Sequence, residues 1–460
     1  MAPLSKAGTA LTVLREDLAG EVLAPGDPGY GEARTIFNSV IDRRPAVIAR
    51  CESEADVVTT VRFARELDLP VAVRGGGHSV AGMSLNDGGV VVDMRRMQEV
   101  TVHPAAKAVR VGGGALMSVL DRACQPYGLA TTGGRVSTTG VTGFVLGGGS
   151  GWLDRKFGLA VDNLLGVDLV TSDGSIMTAT AEDNPELFWA LHGGGGNFGV
   201  ATSVTLRLHE LPEFAICMLL YPPEAGPEVV RTYREVLANG PVEAGGGVLY
   251  LTAPPDPFVP EHLVGTRMAG ALLTYAGGEE AVRELAGPLL ALPHEVEVLT
   301  ALPYADFQCM MDDPPGLRNY WSAEYLAGLP DELVSVFCAL GDVMPSPGGT
   351  QHVLFPLGGA IADGPPEFPV PYRDAQWAAH PFGIWEDPAE DDRCRQWVHD
   401  VRGHVQPWST GAVYLNFTGD EGPERVAAGL GAENLARLAA VKRMYDPDNV
   451  FRFNHNIKPA

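Results

Sequence analysis

The sequence has few basic residues, no cysteine pairs and no long apolar runs, and each shortage excludes a class of protein. Lysine and arginine number 33 against 57 aspartates and glutamates, so the formal charge of −24 disfavours binding to nucleic acid or to an anionic membrane. No apolar stretch approaches the length of a membrane span, and the beginning of the chain lacks the apolar core of a signal peptide. We therefore expect a cytoplasmic protein whose partners are small molecules.

The spacing of the cysteines shows no pattern of a metal site or of a disulfide framework. Six are present, far apart in the chain and with no CxxC pair. This spacing argues against a zinc site and against a disulfide framework, so we expect reduced, mostly buried thiols and no metal.

At 460 residues the chain is too long for one compact core, and two domains are the default expectation.

Glycine, by contrast, is abundant, with 56 residues, and its most informative cluster follows a short alternating stretch at residues 70–74. The alternation predicts a buried strand, and Gly75, Gly76 and Gly77 come directly after it, followed by His78. Consecutive glycines allow positive φ angles and expose N–H groups that can surround a pyrophosphate. Because a neutral imidazole is a nucleophile, the sequence predicts a nucleotide-binding loop that carries a reactive histidine.

Two other glycine-rich segments extend this interpretation. Residues 128–164 mix glycine with threonine and serine, which is incompatible with one continuous helix and favours backbone facing a polar ligand such as a dinucleotide. Residues 194–199 contain a literal GxGxxG. A Rossmann NAD site requires a strand before this motif and a helix after it, whereas here a helix precedes it and a β-branched alternating strand follows. The NAD interpretation is therefore disfavoured.

The second half of the chain has a different pattern. From residue 211 onward, strand-like segments alternate irregularly with helices and proline-rich loops, which predicts an antiparallel sheet backed by helices. The fold class is therefore α+β, with a first domain at residues 1–206, a second at 207–405 and a C-terminal segment at 406–460. Within the last part we predict a strand at residues 412–417 and a helix at residues 432–445.

Several segments together resemble one family. RGGGHS at residues 74–79 resembles the flavin-attachment loop of the berberine-bridge-enzyme-like branch of the vanillyl-alcohol-oxidase-type flavoproteins. GGGGNFG at residues 193–199, YLNF at 414–417 and NHN at 454–456 match further elements of that family. The resemblance spans nearly the whole chain. It implies a PCMH-type FAD-binding domain of two small α/β subdomains, a substrate domain, and a C-terminal segment that returns to the FAD domain.

The resemblance also implies how the cofactor is held. The loop backbone wraps the FAD pyrophosphate, and His78 carries the flavin through its 8α-methyl carbon. Many relatives have a second, cysteinyl anchor, but Val136 stands at that position and Phe144 replaces a histidine of the same motif. We therefore predict FAD bound through His78 only, and a compact substrate. The implied cofactor-binding residues are Arg74, Gly75, Gly76, Gly77, His78, Ser79, Ser137, Thr138, Gly140, Gly143, Phe144, Gly148, Gly149, Gly199, Val200, Asn416, Asn454 and Asn456.

Two residues are implied to act in catalysis. Tyr414 matches the phenol that accepts a proton beside the flavin N5, although its ordinary pKa of about 10 requires a cation or the flavin to activate it. Thr139 matches the position that lies over the flavin face and controls access of oxygen. Phe417 replaces a second tyrosine of the family motif, and His455 replaces a glutamine. In the second domain, Tyr250, Tyr325 and His352 are interpreted as ordinary core or surface residues.

The predicted function is that of an FAD-linked oxidase. It would remove hydride from a C–H next to oxygen or nitrogen of a small secondary-metabolite or heterocyclic substrate, and reduce O2 to hydrogen peroxide. Three alternatives stay open: a flavin-dependent oxygenase of a polyketide-like substrate, which Thr139 permits, a non-redox cyclase on the same scaffold, and a flavin-binding or storage protein. The sequence carries no signal for the substrate or for the oligomeric state.

Overall fold

The computed structural model describes residues 2–346 and 348–460. The first part of the chain contains a four-stranded sheet and a five-stranded sheet. Its strands are β1 (Glu21–Leu23), β2 (Val47–Arg50), β3 (Val71–Arg74), β4 (Val90–Asp93), β5 (Val100–His103), β6 (Ala108–Gly112), β7 (Leu129–Ala130), β8 (Leu164–Val170), β9 (Ile176–Ala179) and β10 (Val200–Arg207). Its helices are α1 (Ala2–Asp17), α2 (Tyr30–Ala33), α3 (Glu54–Glu66), α4 (Met117–Cys124), α5 (Val141–Leu146), α6 (Asp154–Phe157) and α7 (Pro185–Ala190).

The four-stranded sheet has the order β1-β2-β4-β3, and β2, β4 and β3 run parallel. Helix α3 connects β2 to β3 and begins after Ser53, whose hydroxyl oxygen accepts a hydrogen bond of 3.2 Å from the Asp56 N–H. The carboxyl end of β3 leads directly into the glycines at residues 75–77. Ligands of open parallel sheets bind at this end of the strands, so the topology directs the loop towards a site.

The five-stranded sheet has the order β5-β6-β10-β8-β9 and is antiparallel throughout. Strands β8 and β9 form a hairpin, with Gly174 in its turn at a φ of 79°. Helix α7 precedes residues 193–199 and β10 follows them, which confirms that the GxGxxG lies outside a Rossmann unit. Strand β7 pairs with β11 (His209–Glu210) in a small separate sheet.

The second part of the chain is built on one eight-stranded antiparallel sheet in the order β15-β12-β14-β13-β18-β19-β16, with β17 also paired to β19. Its strands are β12 (Ala215–Tyr221), β13 (Ala244–Thr252), β14 (Arg267–Tyr275), β15 (Val296–Ala301), β16 (Arg318–Trp321), β17 (Glu324–Leu326), β18 (Gln351–Pro356) and β19 (Trp377–Trp385). The helices of this part are α8 (Gly226–Asn239), α9 (Glu279–Leu285), α10 (Gly287–Leu290), α11 (Tyr304–Met310), α12 (Asp331–Asp342) and α13 (Asp391–Val405). The predicted antiparallel sheet backed by helices is confirmed.

The two faces of this large sheet have different partners, as the period of two in a strand requires. Cys217 and Leu219 of β12 pack into a core that includes helices α8, α12 and α13. Val353 and Phe355 of β18 point to the opposite face and pack with residues from the first part of the chain. That opposite face, called here the cavity face, forms one wall of the site described below.

The C-terminal segment contains α14 (Pro423–Leu430) and α15 (Ala432–Tyr445), the second of which was predicted. Leu438 and Val441 of α15 lie in the same core cluster as strands β6, β8 and β10, so this segment packs back onto the first part of the chain. The boundaries at residues 206 and 405 remain a prediction.

The predicted strand at residues 412–417 is wrong. Tyr414 is extended, but a 3-10 turn covers Leu415–Phe417, and the Phe417 N–H donates to the Tyr414 carbonyl at 3.0 Å. The alternation of apolar and polar residues is that of a strand, but among the described residues the segment has no β-ladder partner. Its Tyr414 and Asn416 side chains bond instead to residues 144–150.

Five of the six cysteines are buried, and Cys309 is half-buried, as expected for structural thiols. Tyr250, Tyr325 and His352 are buried in the core. Within the described ranges, no helix combines the length and the apolar character needed to cross a membrane. The same residues contain no group of three or more histidine, cysteine or acidic side chains that could hold a metal ion.

Candidate active site

A cavity of about 390 Å³ lies between the first part of the chain, the cavity face of the large sheet and the C-terminal segment. Small-molecule and cofactor sites typically have volumes of about 300–1,000 Å³. Its walls come from the loop after β3, from residues 134–152, from residues 193–199, and from β13, β18 and β19. Residues 414–418 and 451–457 contribute a further wall. The cavity therefore joins every part of the chain that the sequence singled out.

Two glycine loops meet backbone to backbone at one side of this cavity. A Cβ atom added to Gly76 would lie 2.4 Å from the Gly140 nitrogen, and one added to Gly140 would lie 2.4 Å from the Gly76 nitrogen. Gly77 has a φ of 76°, a conformation that favours glycine. Any larger residue at positions 76 or 140 would push the loops apart, so glycine is required for their backbone to line the cavity.

A third backbone wall, residues 193–197, is fixed by the C-terminal segment. The buried Lys442 ammonium donates to the Asn197 carbonyl at 2.6 Å, the Phe451 carbonyl at 2.9 Å and the Asp446 carboxylate at 2.6 Å. The Asn454 amide donates to the Gly196 carbonyl at 3.2 Å. Because these bonds connect the loop to α15 and to the end of the chain, folding of the C-terminal segment determines the shape of this wall.

His78 lies at the end of the first glycine loop, half-buried and facing the cavity. Its ring stacks on Phe37 with centroids 4.2 Å apart and planes within 9° of parallel, and its Nε2 lies 3.0 Å from the Thr138 Oγ1. Burial lowers the pKa of His78 to about 4, against a smaller upward effect of Asp312. The imidazole is therefore neutral near pH 7, which is its nucleophilic form.

Tyr414 is fully buried and reaches the cavity between the glycine loops and the large sheet. Its hydroxyl oxygen accepts hydrogen bonds from the Gly149 N–H at 3.0 Å, the Ser150 N–H at 3.1 Å and the Asn416 amide at 3.0 Å. Three donors on one phenol oxygen stabilise negative charge there, as in an oxyanion hole. Burial is the larger effect and raises the pKa of Tyr414 to about 12, while these bonds and Arg135 act in the opposite direction.

Arg135 places a cation beside this phenol. Its guanidinium lines the cavity and lies 3.9 Å from the centroid of the Phe355 ring, in cation–π geometry. One Nη donates to the Ser150 carbonyl at 2.8 Å, and the nearest carboxylate oxygen, on Asp154, is 3.9 Å away. The side chain is only 12% exposed, and burial lowers its pKa.

The part of the cavity next to Arg135 is enclosed by aromatic rings, and we call it the aromatic chamber. Its rings make edge and tilted contacts with one another, such as the 5.1 Å contact of Trp321 with Phe382. The chamber is defined by Trp152, Trp321, Phe355, Phe382 and Phe417. These flat apolar surfaces suit a flat apolar ligand.

Comparison with known proteins places this architecture in a family. Family models match the chain as "FAD binding domain" at residues 45–180 and as "Berberine and berberine like" at residues 413–458. The (R)-6-hydroxynicotine oxidase of Paenarthrobacter nicotinovorans is 31% identical over 99% of this chain and 99% of its own length. The chain belongs to the FAD-linked, berberine-bridge-like oxidoreductases.

Other relatives of this oxidoreductase agree. The FAD-linked oxidoreductase pgmH of Aspergillus terreus is 31% identical, covering 97% of this chain and 95% of the relative. The crystal structure of 6-hydroxy-D-nicotine oxidase from Arthrobacter nicotinovorans superposes with a TM-score of 0.86 at 28% identity, covering 96% of this chain and 98% of that one. The predicted family and fold class are confirmed.

The residues of this FAD-linked oxidoreductase fit the cofactor of its family. The contact between Gly76 and Gly140 leaves no room for side chains, so peptide groups line this side of the cavity. Among the residues that the structure describes, the Thr142 hydroxyl and the Asn454 amide oxygen line the cavity, are buried and have no hydrogen-bond partner. Polar groups of this kind need a ligand or water to satisfy them, as a dinucleotide would.

Thirteen of the twenty predicted site residues line the cavity. They come from the loop after β3, from residues 139–144, from Gly199 and from the C-terminal segment, which the fold brings together over long sequence distances. They are Gly75, Gly76, Gly77, His78, Ser79, Thr139, Gly140, Gly143, Phe144, Gly199, Tyr414, Asn416 and Asn454.

The other seven, Arg74, Ser137, Thr138, Gly148, Gly149, Val200 and Asn456, are not among its lining residues. Arg74 is turned away because its guanidinium donates to the Ala33 carbonyl at 2.6 Å and the Thr35 carbonyl at 2.5 Å. Ser137 is bonded to Asp312, and Val200 belongs to a buried core. Thr138 and Gly149 support the site indirectly, through His78 and Tyr414.

Sequence reasoning missed Arg135, Trp321 and Lys442. For Arg135 a signal was present, since it is the only charged residue in the glycine-rich stretch at residues 128–153. For Trp321, on a strand distant in sequence, and for Lys442, on an ordinary-looking helix, the sequence offers no comparable signal. Their positions follow from the tertiary structure alone.

Proposed function

We propose that this oxidoreductase is an FAD-dependent oxidase that removes hydride from a C–H bond next to oxygen or nitrogen in a small molecule, with O2 as the acceptor. One observation carries the proposal. The Tyr414 oxygen, with its three N–H donors, lies where the glycine loops give way to the aromatic chamber. A proton acceptor is therefore positioned between a nucleotide-type wall and a substrate-type wall.

FAD, when bound, supplies the hydride acceptor and the route by which electrons reach O2. Residues 75–77 and 193–197 would hold its phosphates through backbone N–H groups, because no side chains intervene there. Asn416 and Asn454 would bond its polar edges with amide groups that line the cavity.

A single covalent bond through His78 is part of this proposal. In the tautomer whose Nε2–H donates to the Thr138 Oγ1, the Nδ1 keeps its lone pair and would be the nitrogen that reacts. The lowered pKa keeps that lone pair free of a proton near pH 7. Val136 lines the cavity at the position of the second anchor, and none of the described residues lining the cavity is a cysteine.

Tyr414 would take the proton that the substrate O–H or N–H loses as hydride leaves the adjacent carbon. The Gly149, Ser150 and Asn416 donors stabilise the charge that a deprotonated Tyr414 carries, and Arg135 acts in the same direction. In total the substrate loses two electrons and two protons. O2 gains both pairs and becomes hydrogen peroxide, so the reaction is balanced.

The chamber and the relatives both support a substrate class. Its rings enclose an apolar space, and the whole cavity has a volume of about 390 Å³, which favours a compact molecule. A relative 31% identical over the whole chain is named (R)-6-hydroxynicotine oxidase. We infer a heterocyclic or secondary-metabolite alcohol or amine as the substrate.

An oxygenase is the second candidate, and Thr139 favours it. Thr139 lines the cavity. By the family resemblance, its hydroxyl stands where typical oxidases carry a small apolar residue. A hydrogen-bond donor on the flavin side of the cavity would stabilise a bound oxygen species.

One experiment separates these outcomes. FAD-loaded protein is mixed anaerobically with a panel of heterocyclic alcohols and amines, bleaching of the flavin absorbance is recorded, and turnover is repeated under ¹⁸O2 with product mass spectrometry. Bleaching with one peroxide per product supports the oxidase. Label in the product supports the oxygenase, product without bleaching supports a non-redox cyclase, and the absence of both supports a binding protein.

A further inference from the structure

The aromatic chamber contains one permanent charge. Of the described residues that line the cavity, Arg135 is the only lysine or arginine, and Asp313 is the only aspartate or glutamate. Asp313 follows Asp312, whose carboxylate is bonded to the Ser137 N–H and hydroxyl. A cation at 12% exposure against aromatic faces is costly unless it has a function or a partner.

The protein's own groups only partly satisfy this guanidinium. Ser150 accepts from it through its carbonyl at 2.8 Å and its hydroxyl at 3.3 Å. Asp154 is 3.9 Å away, and its Oδ2 already accepts from the Ser150 hydroxyl at 2.6 Å and the Gly151 N–H at 3.0 Å. Arg135 Nε is buried and lacks a hydrogen-bond partner among the residues described.

A second N–H donor, on Trp321 of the chamber, also lacks a hydrogen-bond acceptor in the described part of the chain. The Trp321 Nε1 is buried, and it too has no acceptor within residues 2–346 and 348–460. Of the described residues that line this part of the cavity, Arg135 and Trp321 thus each present an N–H donor without a partner, and the Arg135 donor is cationic. A ligand that satisfies them must bring oxygen acceptors, and an ionised acid satisfies a guanidinium best.

We propose that Arg135 determines specificity by binding an oxyanion carried by a flat, conjugated substrate, whose ring stacks in the aromatic chamber. This inference rests on the proposed function, because it names the substrate class of that same site. The ring would lie among Trp152, Trp321 and Phe355, and its carboxylate, enolate or phenolate oxygens would accept from the Arg135 Nε–H. Arg135 would then be a binding residue for substrate in addition to its effect on Tyr414.

The test measures binding, so it does not depend on turnover. Benzoate and its neutral analogue benzamide are titrated into FAD-loaded protein by calorimetry, with flavin difference spectra as a second readout. We expect benzoate to bind at least about tenfold more tightly, because a charged hydrogen bond adds to the same ring contacts. 4-Nitrophenol is titrated at a pH below and at a pH above its own pKa. Tighter binding above that pKa indicates that the site also accepts a phenolate, whereas equal binding at both pH values together with a preference for benzoate indicates a site for carboxylates.

The variants isolate the guanidinium. Arg135→Met should abolish the preference for benzoate and leave benzamide binding within about twofold. Arg135→Lys should retain part of the preference, because it keeps the charge without the planar fork. Arg437→Met is the matched control, since Arg437 lies 3.7 Å over Trp189 outside the cavity and should change neither affinity.

Equal affinities in the unchanged protein, or a benzoate preference that persists in Arg135→Met, would overturn the proposal. If Arg135→Met does not fold, the comparison in the unchanged protein and in Arg135→Lys still decides. The unchanged protein could oxidise none of the alcohols or amines and still prefer benzoate in an Arg135-dependent way. That result would refute the proposed function and leave the oxyanion site in place.

Discussion

Replacement of Tyr414 by phenylalanine tests the site most directly. The ring would keep its packing on Phe417, whose centroid is 4.7 Å away, while the hydroxyl that accepts three N–H bonds is removed. Loss of a positioned general base slows the chemical step by about 10²–10⁴-fold. We therefore expect the anaerobic rate of flavin bleaching, measured by stopped flow, to fall by that factor.

The same variant has a stability cost that can be worked from the structure. The Gly149 and Ser150 N–H groups and the Asn416 amide would lose a buried acceptor. Each unsatisfied buried donor costs about 1–3 kcal/mol unless water replaces the oxygen. We expect the free energy of unfolding in urea to fall by at least about 1 kcal/mol.

The pH dependence gives an independent readout. The pKa of Tyr414 is about 12. At any pH below this value, raising the pH by one unit makes the deprotonated form about tenfold more abundant. The bleaching rate of the unchanged protein should therefore rise with pH as far as the fold tolerates. The slope should disappear in Tyr414→Phe.

Tyr372→Phe is the matched control. Its ring lies 5.5 Å from that of Tyr414, it is also buried, and its hydroxyl has no hydrogen-bond partner in the described part of the chain. We expect it to keep its activity and its pH slope. A bleaching rate in Tyr414→Phe within about threefold of the unchanged protein, or an equal loss in both variants, would refute the assignment of Tyr414 as the proton acceptor.

Three further predictions concern attachment, the C-terminal segment and pH. His78→Ala should bind FAD but release all of it on acid precipitation, and flavin that stays with the precipitated chain would contradict attachment through His78. Lys442→Met should lower the free energy of unfolding, measured by urea titration, by about 3–5 kcal/mol, because the buried Asp446 carboxylate loses its cation. The double variant Lys442→Met/Asp446→Asn should regain part of that free energy. Burial lowers the pKa of His192 to about 4. As the pH falls below 6.5, this imidazole is protonated in the unfolded chain before it is protonated in the folded protein, so the free energy of unfolding decreases towards pH 4. His192→Phe should reduce that drop, and an unchanged urea-midpoint difference between pH 7 and pH 4.5 would contradict it.

The sequence by itself determined the local structures, because they depend on contacts between near neighbours. The strand before residues 75–77, the Ser53 cap, the β8–β9 hairpin and the alternating strands of the large sheet were all predictable from period and turn chemistry. The glycine loops were predictable for the same reason, since three consecutive glycines indicate backbone that must approach something closely. The family likeness then supplied the roles of His78 and Tyr414 as hypotheses.

Only the tertiary structure decided which side chains share the cavity. The segment at residues 412–417 has the pattern of a strand, but it forms a turn because Tyr414 and Asn416 bond to residues about 270 positions earlier. Arg74 was expected at the cofactor because of the family resemblance, yet the Ala33 and Thr35 carbonyls hold its guanidinium elsewhere. Arg135, Trp321 and Phe355 meet in one chamber although they come from a glycine loop and two separate strands. Periodicity fixes which face a residue occupies within its own element, whereas the packing of elements distant in sequence decides what that face meets.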